Sequence, residues 1–460
     1  RRQQAQLRTV REQSLRSSLS GYAALFEDVL SPTFLRKNDP TLRQRHFGHQ
    51  PMLWSWLAQI LEHNSSCNRA LSFVQAWSQE LGLPIPASDT SGFCAARRRL
   101  DIGFLEAVHA RTQQHLRSAV TGSDLWKGHP LKAIDGTSVT LMDTPLNQQN
   151  HPQHPLSKAR CGFPIMGFVG ITDLSHGGWQ HFETCNGKEH DAKVASRMVD
   201  HIEENELVLA DRAFCSYELI ARIISERKGH VLMRLHQSRH RALDWKKGKK
   251  LSAVDRLFTW CKPHNKPPKS PLSIQQWKAL PSQLELRLTK VNYEDRSGKK
   301  SELIVVSDLL DPHRYGGLEL ADLYARRWDI EVKFRDVKTT LAMEHFAVKS
   351  PEMARKTLLM MGIAYNLLCV LIQRASHHSC RPLNHFSFKG CLDIVRSMQG
   401  NFWDFARRNT QKQRAQIREQ LIEICATKTL NIRPFRREPR AVKRRPKSYQ
   451  LLTKHRQKLK

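Results

Sequence analysis

The chain has 460 residues, 40% of them apolar, and carries 74 Lys and Arg against 43 Asp and Glu, a net charge of +31. That length can bury more than one core, so two or three domains are expected. The cationic surplus exceeds what solubility asks for and points to a polyanionic partner, nucleic acid first, while ten cysteines without a regular spacing argue against a disulfide scaffold and for free thiols in a reducing compartment.

Residues 1–120 read as helical. Leu53, Trp56, Leu57, Ile60 and Leu61 repeat at helical spacing. A second helix is predicted to start near Ser88–Ser91 and to end on Arg97, Arg98 and Arg99, a triplet that suits either phosphate contact or a solvated helix end. From residue 131 the pattern turns to strands. LKAIDGTSVTLMD, GFPIMGFVGITDL and GGWQHFETCNG predict an antiparallel meander, followed by a helix over 191–202, the short buried strand ELVLAD, a helix from about Ser216 and the strand HVLMRL. The order of these elements predicts a mixed α/β sheet.

Residues 236–302 interrupt that alternation. They hold sixteen basic and six acidic residues with Trp245, Trp260 and Trp277, and LELRLTKV is their clearest strand, so they read as an insertion into the α/β unit. SELIVVSDLL then resumes the apolar strands. The run from Thr357 to Ile372 is short for a membrane span and contains Gly362, Tyr365 and Asn366, which predicts a buried helix and no membrane segment. Residues 428–460 hold thirteen basic residues and one acidic, broken by Pro434, Pro439 and Pro446, with Phe435 and Tyr449 available for stacking: a basic tail suited to a phosphate backbone. Charges run through the first residues from Arg1, so no secretory signal is expected, and the missing initiator Met suggests a trimmed or partial start. Two small clusters, Cys261 with His264 and His377, His378 with Cys380, lack a second half at zinc-finger spacing, and no zinc site is expected.

The densest chemistry lies in ADLYARRWDIEVKFRDVKTTL. Read as one continuous α-helix at about 100° per residue, Tyr324, Arg327, Glu331 and Lys338 fall within an arc of roughly 60°. Leu323, Ile330, Phe334, Val337 and Leu341 form a separate apolar stripe, and Arg326, Asp329 and Lys333 are expected to face water. Taken alone, the polar arc also suits a structural ion pair, since Arg327 and Glu331 are four apart.

Two further carboxylates change that balance. Asp135 interrupts an Ile- and Val-rich strand, and Asp211 ends a strand apolar on both faces, where α/β sheets place ligand-binding groups. Singly they also read as a turn residue and a helix cap. Together with Glu331 they supply three hard oxygen donors, which suit Mg²⁺ or Mn²⁺ better than zinc. Two such ions about 4 Å apart serve in-line phosphoryl displacement.

The pattern formed by Tyr324, Arg327, Glu331 and Lys338, together with AIDGT around Asp135 and LADRAF around Asp211, resembles the DDE transposases of bacterial insertion sequences, in the insertion-sequence-4 branch. The likeness extends over most of the chain, including SSCNRALSF, TSGFCAARRRL and HFAVKSPEMARKTLLMMGIAYNLL. It implies a ribonuclease-H-like catalytic core at 121–427 with a β-rich insertion, a helical DNA-binding domain at 1–120 and the basic tail at 428–460. It also implies Asp135, Asp211 and Glu331 as catalytic metal ligands, with Mg²⁺ as cofactor, Mn²⁺ substituting and two ions bound. Tyr324, Arg327 and Lys338 would hold phosphates of the transposon end. Trp328 matches a position that sits against the DNA end in relatives; a core aromatic is the alternative. Relatives also stack an extrahelical base on an insertion tryptophan, and Trp245, Trp260 and Trp277 are all candidates. The partners implied are double-stranded DNA and a second copy of the chain, the location is the bacterial cytoplasm at the nucleoid, and the reaction is cut-and-paste transposition. A nuclease on the same scaffold without strand transfer, and a basic DNA-binding protein without catalysis, are the competing readings.

Overall fold

The computed structural model describes residues 18–41, 46–63, 65–80, 82–153, 162–186, 189–268, 270–294, 300–397 and 410–430. Packing divides the chain into two compact units. Of the basic tail, everything from residue 431 onward, with Pro434, Phe435, Pro439, Pro446 and Tyr449, lies outside the described residues.

One unit comprises Thr121–Ser175 and Trp179–Phe334. Nine of its strands share a sheet: β1 (Leu131–Leu141), β2 (Ile165–Asp173), β3 (Trp179–Cys185), β4 (Leu207–Ala210), β5 (His230–Arg234), β6 (Lys249–Lys250), β7 (Asp255–Cys261), β8 (Gln283–Glu294) and β9 (Lys300–Ser307), in the order 3-2-1-4-5-9-8-7-6. β1, β2 and β3 form the antiparallel meander, and β1, β4 and β5 are parallel. Parallel neighbours require crossovers, and helices Asp191–Arg197 and Tyr217–Arg227 supply them. The second starts where the Ser216 hydroxyl accepts the Leu219 N–H and stops at Lys228 in a left-handed conformation, φ 54°. β4 is buried on both faces, as its unbroken LVLA run requires. This mixed sheet flanked by helices is the ribonuclease-H-like arrangement that the resemblance implied.

The insertion does not fold apart from the sheet. β9 pairs antiparallel with β5 on one side and with β8 on the other, so β8, β7 and β6 lengthen the same sheet. β7, the six-residue helix Ile274–Ala279 and the capping box of Ser273 and Gln276 that opens it carry no strong sequence period. Trp260, Trp277, Leu280, Leu284 and Leu286 join the apolar core that also contains Ile134, Val208 and Val231.

The other unit comprises the described residues before Thr121, His176–Gly178 and the stretch from Arg335 to Leu430. Packing therefore places Arg335–Leu430 with the N-terminal helices, whereas the sequence boundaries put 121–427 in one domain. The cause is the 29-residue helix Pro351–Ser379, whose Asn366 donates to the Thr112 hydroxyl at 3.1 Å and whose Gln373 donates to the Leu116 carbonyl at 3.0 Å. Its Ser350 cap and Pro351 at the first turn start it, and Cys380, φ 52°, ends it. This is the one described helix long and apolar enough to cross a membrane, and 94% of its most apolar window is buried inside the protein. Helix His49–Leu61 buries Leu53, Trp56, Leu57, Ile60 and Leu61 as their spacing predicted.

Candidate active site

Strand register places the first two acids. Ile134 pairs with Ala210 and Ala210 with Met233 across the three parallel strands, so the next residues in line, Asp135, Asp211 and Arg234, lie side by side where β4 and β5 end and β1 runs on to Leu141. Adjacent strands are about 4.8 Å apart, and side chains at equivalent register share a face. Asp135 also pairs with Gly170 of β2. Its Oδ1 accepts the Gly136 N–H at 2.8 Å, and the Asp211 Oδ1 accepts the Ala213 N–H at 3.1 Å, so each acid also makes the local turn bond that its sequence allowed.

The third acid arrives on helix Trp328–Arg335. Phe334 sets that helix on the meander, edge-on to Phe168 at 5.8 Å and to Trp179 at 5.9 Å, with Ile330 buried beside it. One turn earlier, Glu331 Oε1 accepts from Arg327 Nη2 at 3.0 Å, while Arg327 Nη1 lies 3.5 Å from Asp135 Oδ2. One guanidinium thus bridges Asp135 and Glu331.

Burial pushes the Asp135 carboxyl up to about 6; the Gly136 N–H and Arg327 oppose the rise, and the nearby Glu331 and Asp211 carboxylates add to it. Burial likewise pushes Tyr324 up to about 12, with Arg327, Asp211 and Arg234 as its charged neighbours. Burial works against the charge on Arg327, but Tyr324, Glu331 and Asp135 outweigh it and hold the group above its ordinary value. The Arg327 Nε is buried without a partner. Arg234 was not evident from sequence, where it is an ordinary basic residue ending HVLMRL; only the strand register singles it out.

The signature segment is not one continuous helix, and the arc expected from even 100° steps is corrected. Helix Gly317–Ala325 ends where Arg326 and Arg327 donate to the Leu323 and Tyr324 carbonyls, three residues back; helix Trp328–Arg335 follows, and Asp336–Thr340 widens into a π-helical turn. Tightening and then widening change the angular step on either side of Glu331. The apolar stripe survives, with Leu323, Ile330, Phe334, Val337 and Leu341 all buried. Arg326, Asp329 and Lys333 are half-buried rather than on an open face, and burial raises the Asp329 carboxyl.

The remaining sequence candidates separate. Lys338 lies on the π-helical turn, in the unit that holds Pro351–Ser379, and burial lowers its ammonium. Trp328 is 60% exposed and is not a core aromatic; the Arg327 guanidinium lies 5.0 Å from its ring centre. Trp260 and Trp277 are buried, whereas Trp245 lines a cavity of about 310 Å³ with Lys290, Asn292, Val291 and Leu318, and Lys290 and Arg256 stand 5.6 and 5.8 Å from its ring centre. At the end of helix Ser91–Arg99, Arg98 and Arg99 are exposed, but Arg97 turns inward, 4.0 Å over the Trp56 ring and 3.4 Å from Gln59 Oε1, where burial holds its guanidinium below its ordinary value. Consecutive helical residues point about 100° apart, so three adjacent arginines cannot share one outlook.

The donor set fits a hard divalent ion: three carboxylates around one sheet end, one of them raised by burial and by its neighbours' charge. As the side chains stand, Arg327 supplies the countercharge, and among the described residues no three acids, imidazoles or thiols group closely enough to hold a metal.

A ribonuclease-H-like sheet with Asp135 and Asp211 side by side on adjacent parallel strands is the arrangement expected of a polynucleotidyl transferase. Residues 126–367 match the model of the transposase DDE domain. The chain is 26% identical over 453 residues, 95% of each protein, to the transposase InsG for insertion sequence element IS4 of Escherichia coli (strain K12). Among solved structures it is similar to the piggyBac transposase synaptic complex with hairpin DNA, with a TM-score of 0.43 and 11% identity, covering 91% of this chain and 86% of that one. The chain belongs to the DDE transposases. Membership implies use of a divalent metal ion.

Proposed function

We propose that this transposase binds the terminal inverted repeats of an insertion sequence as a homodimer, hydrolyses a strand at each end and joins the freed 3′ hydroxyl to target DNA. The observation that carries this reading is Asp135, raised to about 6 beside Asp211 and Glu331 and bridged to Glu331 by Arg327. Asp135, Asp211 and Glu331 are assigned to hold Mg²⁺, two ions with Mn²⁺ able to substitute; held there, the ions would supply activation of the attacking oxygen and stabilisation of the leaving one.

The chain's own residues then divide the remaining work. Arg327 is assigned to leave the carboxylates and take a phosphate oxygen of the end, since a planar guanidinium serves either partner in a bidentate way. Tyr324 and Arg234 flank Asp211 and are assigned to neighbouring phosphates, with Lys338. Trp328 offers an exposed ring to the terminal base pair, and Trp245, the insertion tryptophan with both a cavity and flanking cations, is the one assigned to an unstacked base. Arg98, Arg99 and the basic tail are assigned to the DNA backbone. Work on chromosomal DNA places the protein in the bacterial cytoplasm, at the nucleoid.

The test uses a labelled transposon end with Mg²⁺ and a target duplex. Nicked ends and joined products are expected from the wild type, and neither from Asp135→Ala, Asp211→Ala or Glu331→Ala. Cleavage without joining would reduce the protein to a nuclease, and metal-independent binding without cleavage to a DNA-binding protein. Either result overturns the proposal.

A further inference from the structure

Away from the acids, the helical unit pairs two thiols. Cys67 opens helix Cys67–Glu80, directly after Ser66, whose hydroxyl accepts the Arg69 N–H at 3.2 Å. Its sulfur therefore sits in the first helical turn, where unpaired N–H groups favour negative charge. Arg97 Nη1 lies 3.5 Å from the same sulfur, and Gln59 Nε2 lies 3.9 Å away. Arg97 is held there by its stack on Trp56, so the cation is fixed rather than mobile.

Cys94 lies one turn before Arg97 on helix Ser91–Arg99, the helix whose Arg97 reaches the Cys67 sulfur, and its thiol is pushed up first by burial and then by the neighbouring Cys67. Both are free and half-buried. Cys391 and Cys425 are also neighbours, but both are fully buried.

A thiol at a helix start beside a guanidinium, with a second thiol as its neighbour, is the arrangement of a peroxide-reactive cysteine and its resolving partner. We propose that Cys67 is an oxidation site and that hydroperoxides convert Cys67 and Cys94 into a reversible disulfide. In the first step the Cys67 thiolate attacks one peroxide oxygen, the O–O bond breaks, and the leaving alkoxide or hydroxide takes a proton from water, giving Cys67 sulfenic acid. In the second, the Cys94 sulfur attacks the Cys67 sulfur, the S–O bond breaks, and the hydroxyl leaves as water with the Cys94 proton. The new bond staples helix Cys67–Glu80 to the helix that carries Arg98 and Arg99, and a dithiol reductant reverses it.

Exposed Cys261 and Cys380 serve as internal controls. The full-length protein is treated with hydrogen peroxide, its remaining thiols are alkylated, and non-reduced peptides are mapped by mass spectrometry. A Cys67–Cys94 linked peptide is expected, forming at least about tenfold faster than Cys261 or Cys380 is oxidised, and disappearing on reduction. In Cys94→Ser the Cys67 sulfenic acid is expected to accumulate and be trapped by dimedone. In Arg97→Gln, with both thiols kept, the reaction is expected to slow. Cys67 and Cys94 still open to alkylation after Cys261 and Cys380 have been oxidised would overturn the proposal, and so would dimedone labelling of Cys67 no faster than of the controls. Wild-type peptide mapping decides the question even where a variant folds poorly.

Discussion

Two aspartates of one sheet are each paired with an arginine and behave in opposite ways. In the inserted half, Asp255 and Arg287 are both 0% exposed; Asp255 accepts from Arg287 Nη2 at 2.7 Å, Thr289 Oγ1 at 2.6 Å and Ser252 Oγ at 2.5 Å. Burial alone would raise that carboxyl, but the hydrogen bonds from Arg287, Ser252 and Thr289 outweigh it and hold Asp255 below its ordinary value. In the core half, Asp135 has one backbone N–H and a guanidinium at 3.5 Å that is shared with Glu331, and burial wins. The difference separates a carboxylate whose hydrogen-bonding capacity is filled from one whose capacity is not. A saturated carboxylate supports the fold, whereas one left short of partners and close to other acids is available for a metal and a substrate.

The largest effect expected from breaking this contrast is on activity. Asp135→Asn should lower strand cleavage by more than about a thousandfold, because a carbonyl is a far weaker ligand for a hard cation, and should leave the fold intact. Asp255→Asn should do the reverse. Removing one partner of a saturated buried pair strands Arg287, at a cost of about 3–5 kcal/mol. Chemical denaturation of both variants, with a cleavage assay of the surviving folded fraction, checks the pair. An inactive but fully stable Asp255→Asn would erase the distinction.

Acidity sharpens the contrast at the next scale. The Asp135 carboxyl titrates near 3.8 when unfolded and at about 6 when folded, so the folded state holds its proton longer. Its contribution is therefore neutral below the unfolded value and turns unfavourable as the pH rises through the window from about 4 to about 6. Two units correspond to about 3 kcal/mol, and partial solvent access reduces that to about 1–2 kcal/mol. Metal-free Asp135→Asn should accordingly be more stable than the wild type at pH 8 and nearly equal to it at pH 4. Asp255, with a depressed folded value, contributes stability above the ordinary carboxylate range and loses it as the pH falls through that depressed value. Unfolding curves at several pH values test both signs.

Why one pair was legible in sequence and the other was not follows from the same physics. Asp135, Asp211 and Glu331 break apolar strands or occupy a spaced signature, so their types and positions stand out. Asp255 and Arg287 sit 32 residues apart on strands β7 and β8 whose pairing no local pattern announces, and both look like ordinary charges in a basic insertion. The meander, β4 and β5 were readable from periodicity, but β9's double pairing is a tertiary fact. Arg234 became visible through register alone. Even spacing misled in the signature itself, because periodicity assumes a uniform helix, and the tight turn at Arg326–Arg327 and the π-helical turn at Asp336–Thr340 obey backbone hydrogen bonding instead.

A smaller effect probes how far Arg327 belongs to both states. Arg327→Gln removes the bridge, so Asp135 and Glu331 lose their shared countercharge and the Asp135 carboxyl should rise above its value of about 6. Cleavage at saturating Mg²⁺ should fall about tenfold to a hundredfold, and the pH needed for half-maximal metal binding should move upward. Isothermal titration with Mg²⁺ across pH separates this from simple loss of DNA contact, which would leave metal binding unmoved.

The smallest expected effect lies in the arginine triplet, where adjacent residues have opposite surroundings. Arg98→Gln and Arg99→Gln remove exposed cations, so each should weaken end binding several-fold and reduce the slope of log affinity against log salt by about one. Arg97→Gln removes a guanidinium already committed to Trp56, Gln59 and Cys67, so it should leave the salt slope unchanged and lower thermal stability instead, by about 1–2 kcal/mol. A salt titration of the three variants therefore distinguishes a phosphate contact from a packing contact within three consecutive residues. An equal loss of slope in all three would mean that Arg97 leaves its stack when DNA binds.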